Sequence, residues 1–353
     1  MLAEHVEVVI GVDTHKHTHT AAIVTAATGA VLAQRTVGTD PAGYTELIEL
    51  AEDHGQVRAW ALEGASGYGA GLAAALMARD ELVVELDRPA RPARRAGAKS
   101  DPIDAVRAAR EALARTTLAQ PRTGAERGAL QVLLSARRAA VEAAGTGQRQ
   151  LQALVVTAPE VVRSRFRGQS TRTMLATALS LRAGRRAAGE VHVFTALSTL
   201  KAIARRVRAL EAEAAEHERS IRAIVASWRP DLLTVRGVGP IVAATVLTAW
   251  SHAGRCRNDG AFAMLAGTAP LPASSGQTVR YRLNRCGDRQ LNRAIHTVVL
   301  SRTRFDPLTR AYVERRRAQG KSDREIRRCL SRYVSRQLYR QLESGAPPPL
   351  DEP

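Results

Sequence analysis

The beginning of the chain alternates between short apolar runs and segments with helical spacing. Residues 6–12 (VEVVIGV) are apolar and rich in β-branched side chains, which indicates a buried strand. Residues 20–37 predict two further strands joined by a turn at Thr28-Gly29. Residues 41–55 have apolar side chains at helical spacing and end in glycine. These patterns predict three consecutive strands followed by a helix.

The next segments alternate between strand and helix. The pattern predicts strands over residues 57–65 and 81–87, and helices over residues 67–80 and 101–115. Ser100 before the last helix and Pro102 in its first turn form a helix start signal. Three strands followed by strand–helix units are the order of ribonuclease-H-like α/β folds. We therefore predict an α/β domain of this type over residues 1–120.

Four carboxylates stand at the ends of these predicted elements. Asp13 follows the first strand, Glu63 ends the fourth, and Asp101 and Asp104 open the last helix. Such groups can converge although they are far apart in sequence, and two divalent cations held this way clamp the oxygens of a phosphodiester. Hard cations such as Mg²⁺ prefer carboxylate oxygens, and Mn²⁺ accepts the same ligands. We predict a cation site on these four acids, while each acid alone is equally consistent with a solvated cap.

Three histidines alternate directly after the first of these acids. His15, His17 and His19 would share one face if they lay on a strand, and a metal site on them is then conceivable. The simpler interpretation is that they lie beside an acidic site and face solvent or bind neighbouring groups.

The middle of the chain, residues 121–228, is predicted to be helical. Residues 126–156 have apolar side chains at helical spacing, and residues 198–228 carry a stripe close to a heptad repeat. The stripe consists of Ile203, Val207, Leu210, Ala214, His217, Ile221 and Ile224. We predict two long helices that fold back as a coiled-coil hairpin, used in dimerisation or as a basic arm. A plain helical linker with a charged face is the alternative.

The remaining residues form a predicted, mainly helical domain (229–345) and a tail (346–353). Gly237-Val238-Gly239-Pro240 resembles a helix-hairpin-helix turn, in which N–H groups of Gly237 and Gly239 can approach a phosphate. An ordinary tight connection between helices has the same composition.

A second chemical signal follows in this domain. Ser274-Ser275-Gly276 lies in a loop rich in Pro, Ala, Ser and Gly. Candidate phosphate-binding side chains follow it: Arg280, Arg282, Arg285, Arg289 and Arg293. A serine beside arginines is a phosphate ligand, a nucleophile whose transition state the arginines stabilise, or an ordinary turn residue.

Charge separates these regions. The 353-residue chain has 52 basic and 34 acidic side chains, a net charge of +18, and 48 of the basic residues are arginine. Residues 1–115 have a net charge of −4, residues 116–228 of +10 and residues 229–353 of +12. A GC-rich genome explains arginine over lysine but not this excess. A strongly basic protein binds a polyanion, and nucleic acid is the first candidate.

The composition argues against several other classes of protein. No run approaches 18 apolar residues, which argues against a membrane span. The first 13 residues lack the features of a secretory signal. Cys256, Cys286 and Cys329 form no CxxC pair, which argues against a disulfide framework or a zinc finger and for a reducing compartment. We expect a cytoplasmic protein without a membrane partner.

Six motifs together resemble the DEDD transposases of insertion sequences, a family understood as bridge-RNA-guided recombinases. They are GVDTHKHTHTAAI, ALEGASGYG, KSDPIDAVRAA, VRGVGPIVAATVL, FAMLAGTAPLPASSG and RCGDRQLNRAI. Each alone is weak, but their occurrence in this order is specific and covers nearly the whole chain. The resemblance implies a RuvC-like ribonuclease-H domain joined by a coiled coil to a C-terminal transposase domain.

The resemblance also implies roles for individual residues. The DEDD acids are then Asp13, Glu63, Asp101 and Asp104. The family's catalytic serine precedes the glycine of a Ser-Gly pair, which points to Ser275, with Ser274 as the substitute. The chain departs from many relatives at Leu291-Asn292-Arg293, where they read Leu-Arg, and this affects only the local arginine.

The implied activity is Mg²⁺-dependent cleavage and rejoining of DNA through a transient phosphoserine link to Ser275. The implied partners are donor and target DNA, a structured bridge RNA that selects them by base pairing, and further copies of the chain in a dimer or tetramer. Such an enzyme acts at the nucleoid of a bacterium.

Two other classes of function are open. A RuvC-like nuclease that cuts with metal-activated water needs the acids but not Ser275. A non-catalytic nucleic-acid-binding protein needs neither.

Overall fold

The computed structural model describes residues 1–86, 100–182, 190–273, 281–284 and 286–344. The chain forms two compact units, Met1–Thr123 and Gly124–Pro353, and each has its own apolar core. Among the described residues, no helix combines the length and apolarity that crossing a bilayer requires.

The first unit is built on a five-stranded sheet. Its strands are β1 (Val8–Thr14), β2 (Thr18–Thr25), β3 (Val31–Gly38), β4 (Arg58–Glu63) and β5 (Leu82–Leu86). The spatial order is β3-β2-β1-β4-β5, in which β1, β2 and β3 pair antiparallel and β1, β4 and β5 pair parallel. The helices are α1 (Pro41–Glu52), α2 (Ala70–Met77) and α3 (Asp101–Ala114). The predicted element order and the ribonuclease-H-like α/β class are confirmed.

Helices cover both faces of this sheet. On one face Leu47 of α1 and Leu72 of α2 pack with Ile10 and Trp60. On the other face the small side chains of α3, such as Ala109, pack with the alternate strand positions. Because successive strand residues point to opposite faces, the continuous apolar runs in the sequence are explained by burial on both sides.

Helix α3 lies directly on the backbone of β1. A Cβ atom added to Gly11 would overlap Ala105 O and lie 2.5 Å from Ala109 N. Only glycine permits this close approach. The helix begins at Asp101, as the start signal predicts, with Ser100 in the N-cap position and Pro102 in the first turn.

Two long helices dominate the first part of the second unit. They are α4 (Ala125–Thr157) and α7 (Val191–Trp228), with α5 (Glu160–Arg163) and α6 (Thr171–Ser180) between them. Arg137 of α4 pairs with Glu218 of α7 at 2.9 Å, and Gln148 pairs with Glu211 at 3.0 Å. Since the partner numbers fall as the α4 numbers rise, the two helices are antiparallel. Ile203, Val207, Ala214 and Ile221 of the predicted stripe are buried, whereas the His217 side chain remains 24% exposed.

The last helices enclose the largest core. They are α8 (Asp231–Thr234), α9 (Pro240–Trp250), α10 (Asp259–Leu265), α11 (Arg289–Phe305), α12 (Pro307–Ala318) and α13 (Asp323–Ser344). A small antiparallel pair, β6 (Leu271–Pro272) and β7 (Tyr281–Arg282), precedes α11. Helix α9 is buried around most of its circumference, which explains its nearly uninterrupted apolar sequence. The helix before the Gly237–Gly239 turn is α8, which has only one turn. Helix α7 ends at Trp228, and Pro230 separates it from α8.

Candidate active site

Asp13 and Glu63 lie at the carboxyl ends of two adjacent parallel strands. Val12 pairs with Leu62 in the β1–β4 register, so the two acids occupy the next position on each strand. On each strand the side chains two residues apart lie on the same face, and the positions two and four residues before each acid belong to the α3 face. Both acids therefore lie on the α3 face of the sheet. The Thr14 hydroxyl donates to Glu63 O at 2.8 Å and ties the two strand ends together.

Helix α3 brings a third acid to the same place. Gly11 lies under Ala105, and Asp13 follows Gly11 by two strand residues, a rise of about 6.6 Å. Asp101 precedes Ala105 by four helical residues, a rise of about 6 Å. Because these two rises are nearly equal and both are measured from the contact between Gly11 and Ala105, Asp101 lies close to Asp13.

His15 completes a compact group with these two carboxylates. One ligand atom from each of Asp13, His15 and Asp101 lies within 4.8 Å of the others. His15 Nδ1 is 3.9 Å from Asp13 Oδ2 and 3.6 Å from Asp101 Oδ2. The Asp13 side chain is 14% exposed, whereas those of His15 and Asp101 are 50% and 52% exposed. The group is therefore open to a large substrate on one side and supported by the sheet on the other.

The other two predicted acids take flanking positions. Among the described residues, the group whose ligand atoms lie within 4.8 Å of one another does not include Glu63 or Asp104. Asp104 sits one turn into α3 and forms an ion pair with Arg107. The structure thus joins two of the four predicted acids closely and places Glu63 on the neighbouring strand end.

The three alternating histidines do not share a face. Strand β1 ends at Thr14, and His15 and His17 lie in the turn before β2, where His15 N donates to Thr18 O at 3.1 Å. His19 lies on β2, fully buried and stacked on Tyr44 with ring centroids 5.9 Å apart. Burial lowers the pKa of His19. A shared histidine metal site is thereby ruled out for these residues, and His15 alone joins the acids.

The donor atoms in this group suit a divalent cation. Two carboxylates offer the hard oxygen ligands that Mg²⁺ and Mn²⁺ prefer, and an imidazole nitrogen favours Mn²⁺ over Mg²⁺. Asp13, His15 and Asp101 could hold such an ion, with Glu63 and Asp104 beside them.

In the second unit, part of the predicted site lies outside the described residues. These positions are Ser274, Ser275, Arg280 and Arg285. Gly237 has φ +81° and its turn packs on α11, where Arg302 Nε donates to Arg236 O at 2.8 Å. A Cβ on Gly239, the N-cap residue of α9, would meet no atom of the described residues within 4 Å. The turn therefore leaves open space at the start of α9.

The predicted arginines that the structure describes are exposed. They are Arg282 on β7 and Arg289 and Arg293 at the start of α11. Asp288 caps that helix by accepting from Gln290 N at 2.8 Å and Leu291 N at 3.0 Å. Since these N–H groups already have an acceptor, an anion here would meet the guanidinium groups rather than the helix N-terminus.

Two segments of the chain match models of one class of protein. Residues 10–158 match the DEDD model of IS110 transposases, described as a transposase, and residues 230–314 match the transposase IS116/IS110/IS902 family. The chain is thus a member of the DEDD transposases. Within that class it belongs to the IS116/IS110/IS902 family.

A relative supports the same assignment. The chain is 31% identical over 151 residues to the insertion element IS110 uncharacterized 43.6 kDa protein of Streptomyces coelicolor. The alignment covers 42% of this chain and 36% of that protein, so the chain matches about a third of its relative's length.

Proposed function

We propose that the protein is an insertion-sequence transposase that cleaves and rejoins DNA in a reaction that requires a divalent cation. The observation that carries this proposal is the group formed by Asp13, His15 and Asp101 at the carboxyl end of the central strand. Family membership supplies the substrate class, and the arginine excess of the second unit suits a polyanion.

The first unit has the task of holding the cation. Asp13, His15 and Asp101 would hold it, Glu63 and Asp104 would complete the DEDD set, and Mg²⁺ or Mn²⁺ would supply charge that polarises a phosphodiester. His15 lies on the open side of the group, where its side chain is 50% exposed. The buried strand end beneath Asp13 keeps that carboxylate in one place while the substrate enters from solvent.

The second unit contributes the nucleophile. Ser275 Oγ attacks the phosphorus and forms a phosphoserine ester, and the leaving sugar oxygen keeps the bonding electron pair and accepts a proton. The returning sugar hydroxyl later displaces the serine and restores the DNA strand. Arg282, Arg289 and Arg293 stabilise the phosphate charge, together with Arg280 and Arg285, and the glycines of the Gly237–Gly239 turn contact the DNA backbone.

The partners follow from the same assignment. Donor and target DNA are chosen by base pairing to a structured RNA encoded by the element, and the enzyme works as a dimer or tetramer at the bacterial nucleoid. The paired helices α4 and α7 serve as the coiled-coil arm between the catalytic domain and the serine domain.

A covalent adduct assay tests the proposal. The purified chain is incubated with RNA transcribed from the DNA flanking its gene and with labelled DNA of the same flanks, and then denatured. We expect a labelled adduct of the 38.0 kDa chain with DNA, which needs Mg²⁺ or Mn²⁺ and does not form in the presence of EDTA. Asp13→Asn and Asp101→Asn should lower its formation by about 100-fold to 1000-fold, and Ser275→Ala should abolish it.

Matched variants separate the competing functions. Asp53→Asn removes an exposed carboxylate at the end of α1 and should leave the adduct unchanged, as should Ser274→Ala. If Ser275→Ala still cuts DNA without an adduct while Asp13→Asn does not, the protein is a nuclease that uses activated water. If all variants bind and none cuts, it is a binding protein.

A further inference from the structure

Helix α13 is built from a four-residue repeat. Its sequence from Arg324 to Glu343 reads REIR-RCLS-RYVS-RQLY-RQLE, five tetrads with arginine first and an aliphatic residue third. The segment lies after residue 314, where the match to the IS116/IS110/IS902 family ends. Nothing in the site described above uses it.

The two repeated positions lie on opposite sides of the helix. The third position of every tetrad is buried in the core: Ile326, Leu330, Val334, Leu338 and Leu342. The first position is two residues away, or about 200° around the helix. These arginines form a row that winds about 40° around the helix with each tetrad, and we call it the arginine ladder: Arg324, Arg328, Arg332, Arg336 and Arg340. All of them are exposed except Arg332, which is partly buried.

Two arginines in the middle of the ladder bind a carboxylate of another helix. Arg332 Nη2 and Arg336 Nε both donate to Asp259 Oδ2 of α10, at 2.8 Å and 2.9 Å. These two arginines hold the pKa of Asp259 below its ordinary value. One carboxylate thus holds two adjacent arginines in place. Because it neutralises only one of their two positive charges, this part of the ladder keeps a net positive charge.

The other three rungs have no carboxylate partner among the described residues. The helix contains three acids of its own, and each is used elsewhere. Asp323 pairs with Arg317 at 2.8 Å, Glu325 accepts from Ser322 N at 2.9 Å, and Glu343 accepts from Trp250 Nε1 at 2.7 Å. Arg324, Arg328 and Arg340 therefore present their charge to solvent.

We propose that the arginine ladder is a second nucleic-acid contact, which binds a phosphodiester backbone without reading its bases. Successive rungs are about 6 Å apart along the helix and are turned by about 40°, and the row rises about 24 Å in all. Neighbouring rungs can therefore meet successive phosphates of a backbone that follows the helix surface. A shallow groove lined by Tyr333, Arg336, Gln337 and Arg340 runs beside the ladder and offers one exposed aromatic ring. Bias toward arginine in the genome explains many arginines, but not one at the first position of all five tetrads.

Salt-dependent binding tests the ladder in the full chain. The variant Arg324→Gln/Arg328→Gln/Arg340→Gln removes the three rungs that have no partner. The probes are a mixed-sequence DNA duplex, a DNA single strand and an RNA hairpin, each titrated between 50 and 200 mM salt. Each lost phosphate contact lowers the salt slope by about 0.9 for a duplex and about 0.7 for a single strand. Over this range the wild-type affinity should fall about 40-fold more than that of the variant on duplex, or about 20-fold more on single strands.

A control triple variant keeps the same change in net charge. Arg165→Gln/Arg205→Gln/Arg222→Gln removes three exposed arginines that have no carboxylate partner among the described residues, one between α5 and α6 and two on α7. It should change the slope less than the ladder variant on the probe that the ladder binds. The variant Arg324→Lys/Arg328→Lys/Arg340→Lys should keep the wild-type salt slope, since lysine retains the positive charge. Circular dichroism should show all three variants folded.

Equal slopes for the ladder and control variants on all three probes would overturn the proposal. The probe that shows the largest difference identifies the nucleic acid that the ladder contacts. The result is independent of catalysis, since loss of the covalent adduct by Ser275→Ala leaves these slopes unchanged if both proposals hold.

Discussion

Two groups of carboxylates, one in each unit, have opposite surroundings. In the first unit Asp13 and Asp101 come together with one histidine at an open strand end. In the second unit acids are placed between arginines, as Asp259 is between Arg332 and Arg336. The same residue type therefore builds a candidate cation site in one unit and stabilises helix packing in the other.

Burial of the charged side chains distinguishes a structural ion pair of the second unit from the open group of the first unit. Arg229 is 5% exposed and contacts Asp231 through two hydrogen bonds of 2.8 Å. The same guanidinium donates to Leu342 O at 3.0 Å and Gln341 O at 2.7 Å, the last carbonyl groups of α13. Arg229 holds the pKa of Asp231 below its ordinary value. This ion pair thus fixes the end of a helix, which the open group of the first unit does not do.

The largest expected effect on stability comes from breaking this buried pair. Arg229→Met leaves the Asp231 carboxylate and two helix carbonyl groups without their donor. We expect the free energy of unfolding of the second unit to fall by about 3 kcal/mol, measured by urea denaturation. Arg317→Ala breaks an exposed pair with Asp323 and should leave it nearly unchanged. Equal losses from the two variants would contradict the distinction.

The next effect concerns the close contact that joins Asp101 to Asp13. Gly11→Ala forces α3 away from β1, and we expect the first unit to lose about 2 kcal/mol of stability. Because Asp101 moves with the helix, binding of Mn²⁺ should weaken as well, which electron paramagnetic resonance can measure. The control is Gly128→Ala in α4, where an added Cβ meets no atom of the described residues within 4 Å. It should stabilise the second unit by up to about 1 kcal/mol.

The smallest effect is a pH dependence in the first unit. Burial lowers the pKa of His19, so the folded chain binds fewer protons than the unfolded chain just below pH 6.5. Stability should therefore fall as the pH drops below about 6.5, by at most about 1.4 kcal/mol per pH unit for one proton. Hydrogen exchange of β1 and β2, corrected for intrinsic rates, measures this slope. His19→Leu should flatten it, and an unchanged slope would show that another group is responsible.

The order of elements in the first unit could be predicted because two faces of the sheet are buried. The central strands read as apolar runs, and α1 and α3 have apolar faces, whereas α2 is apolar nearly all round. The second unit was harder to predict: helical spacing gave the end of α7 at Trp228 but not its start, since the helix begins at Val191 and the predicted one at residue 198. The helix before the predicted helix-hairpin-helix turn, α8, has only one turn.

The site could be predicted in part for a similar reason. Strand ends and a helix start are visible in the sequence, and they locate Asp13, Glu63 and Asp101. The turn at His15–His17 contains neither glycine nor proline, so the alternation of the three histidines left a strand possible and did not reveal the different positions of His15 and His19. The contact at Gly11 is a tertiary feature that no local pattern reveals.

The four-residue repeat of α13 has a consequence for changes in the length of the chain. Because an α-helix turns 100° per residue, removing one residue rotates everything beyond it by that angle and turns aliphatic side chains toward solvent. Removing a whole tetrad rotates the rest by only about 40°, so that every arginine and every aliphatic residue beyond it stays close to its original side of the helix. We therefore expect insertions and deletions in this helix to be tolerated in steps of four residues, so that its reach can change while its two faces persist.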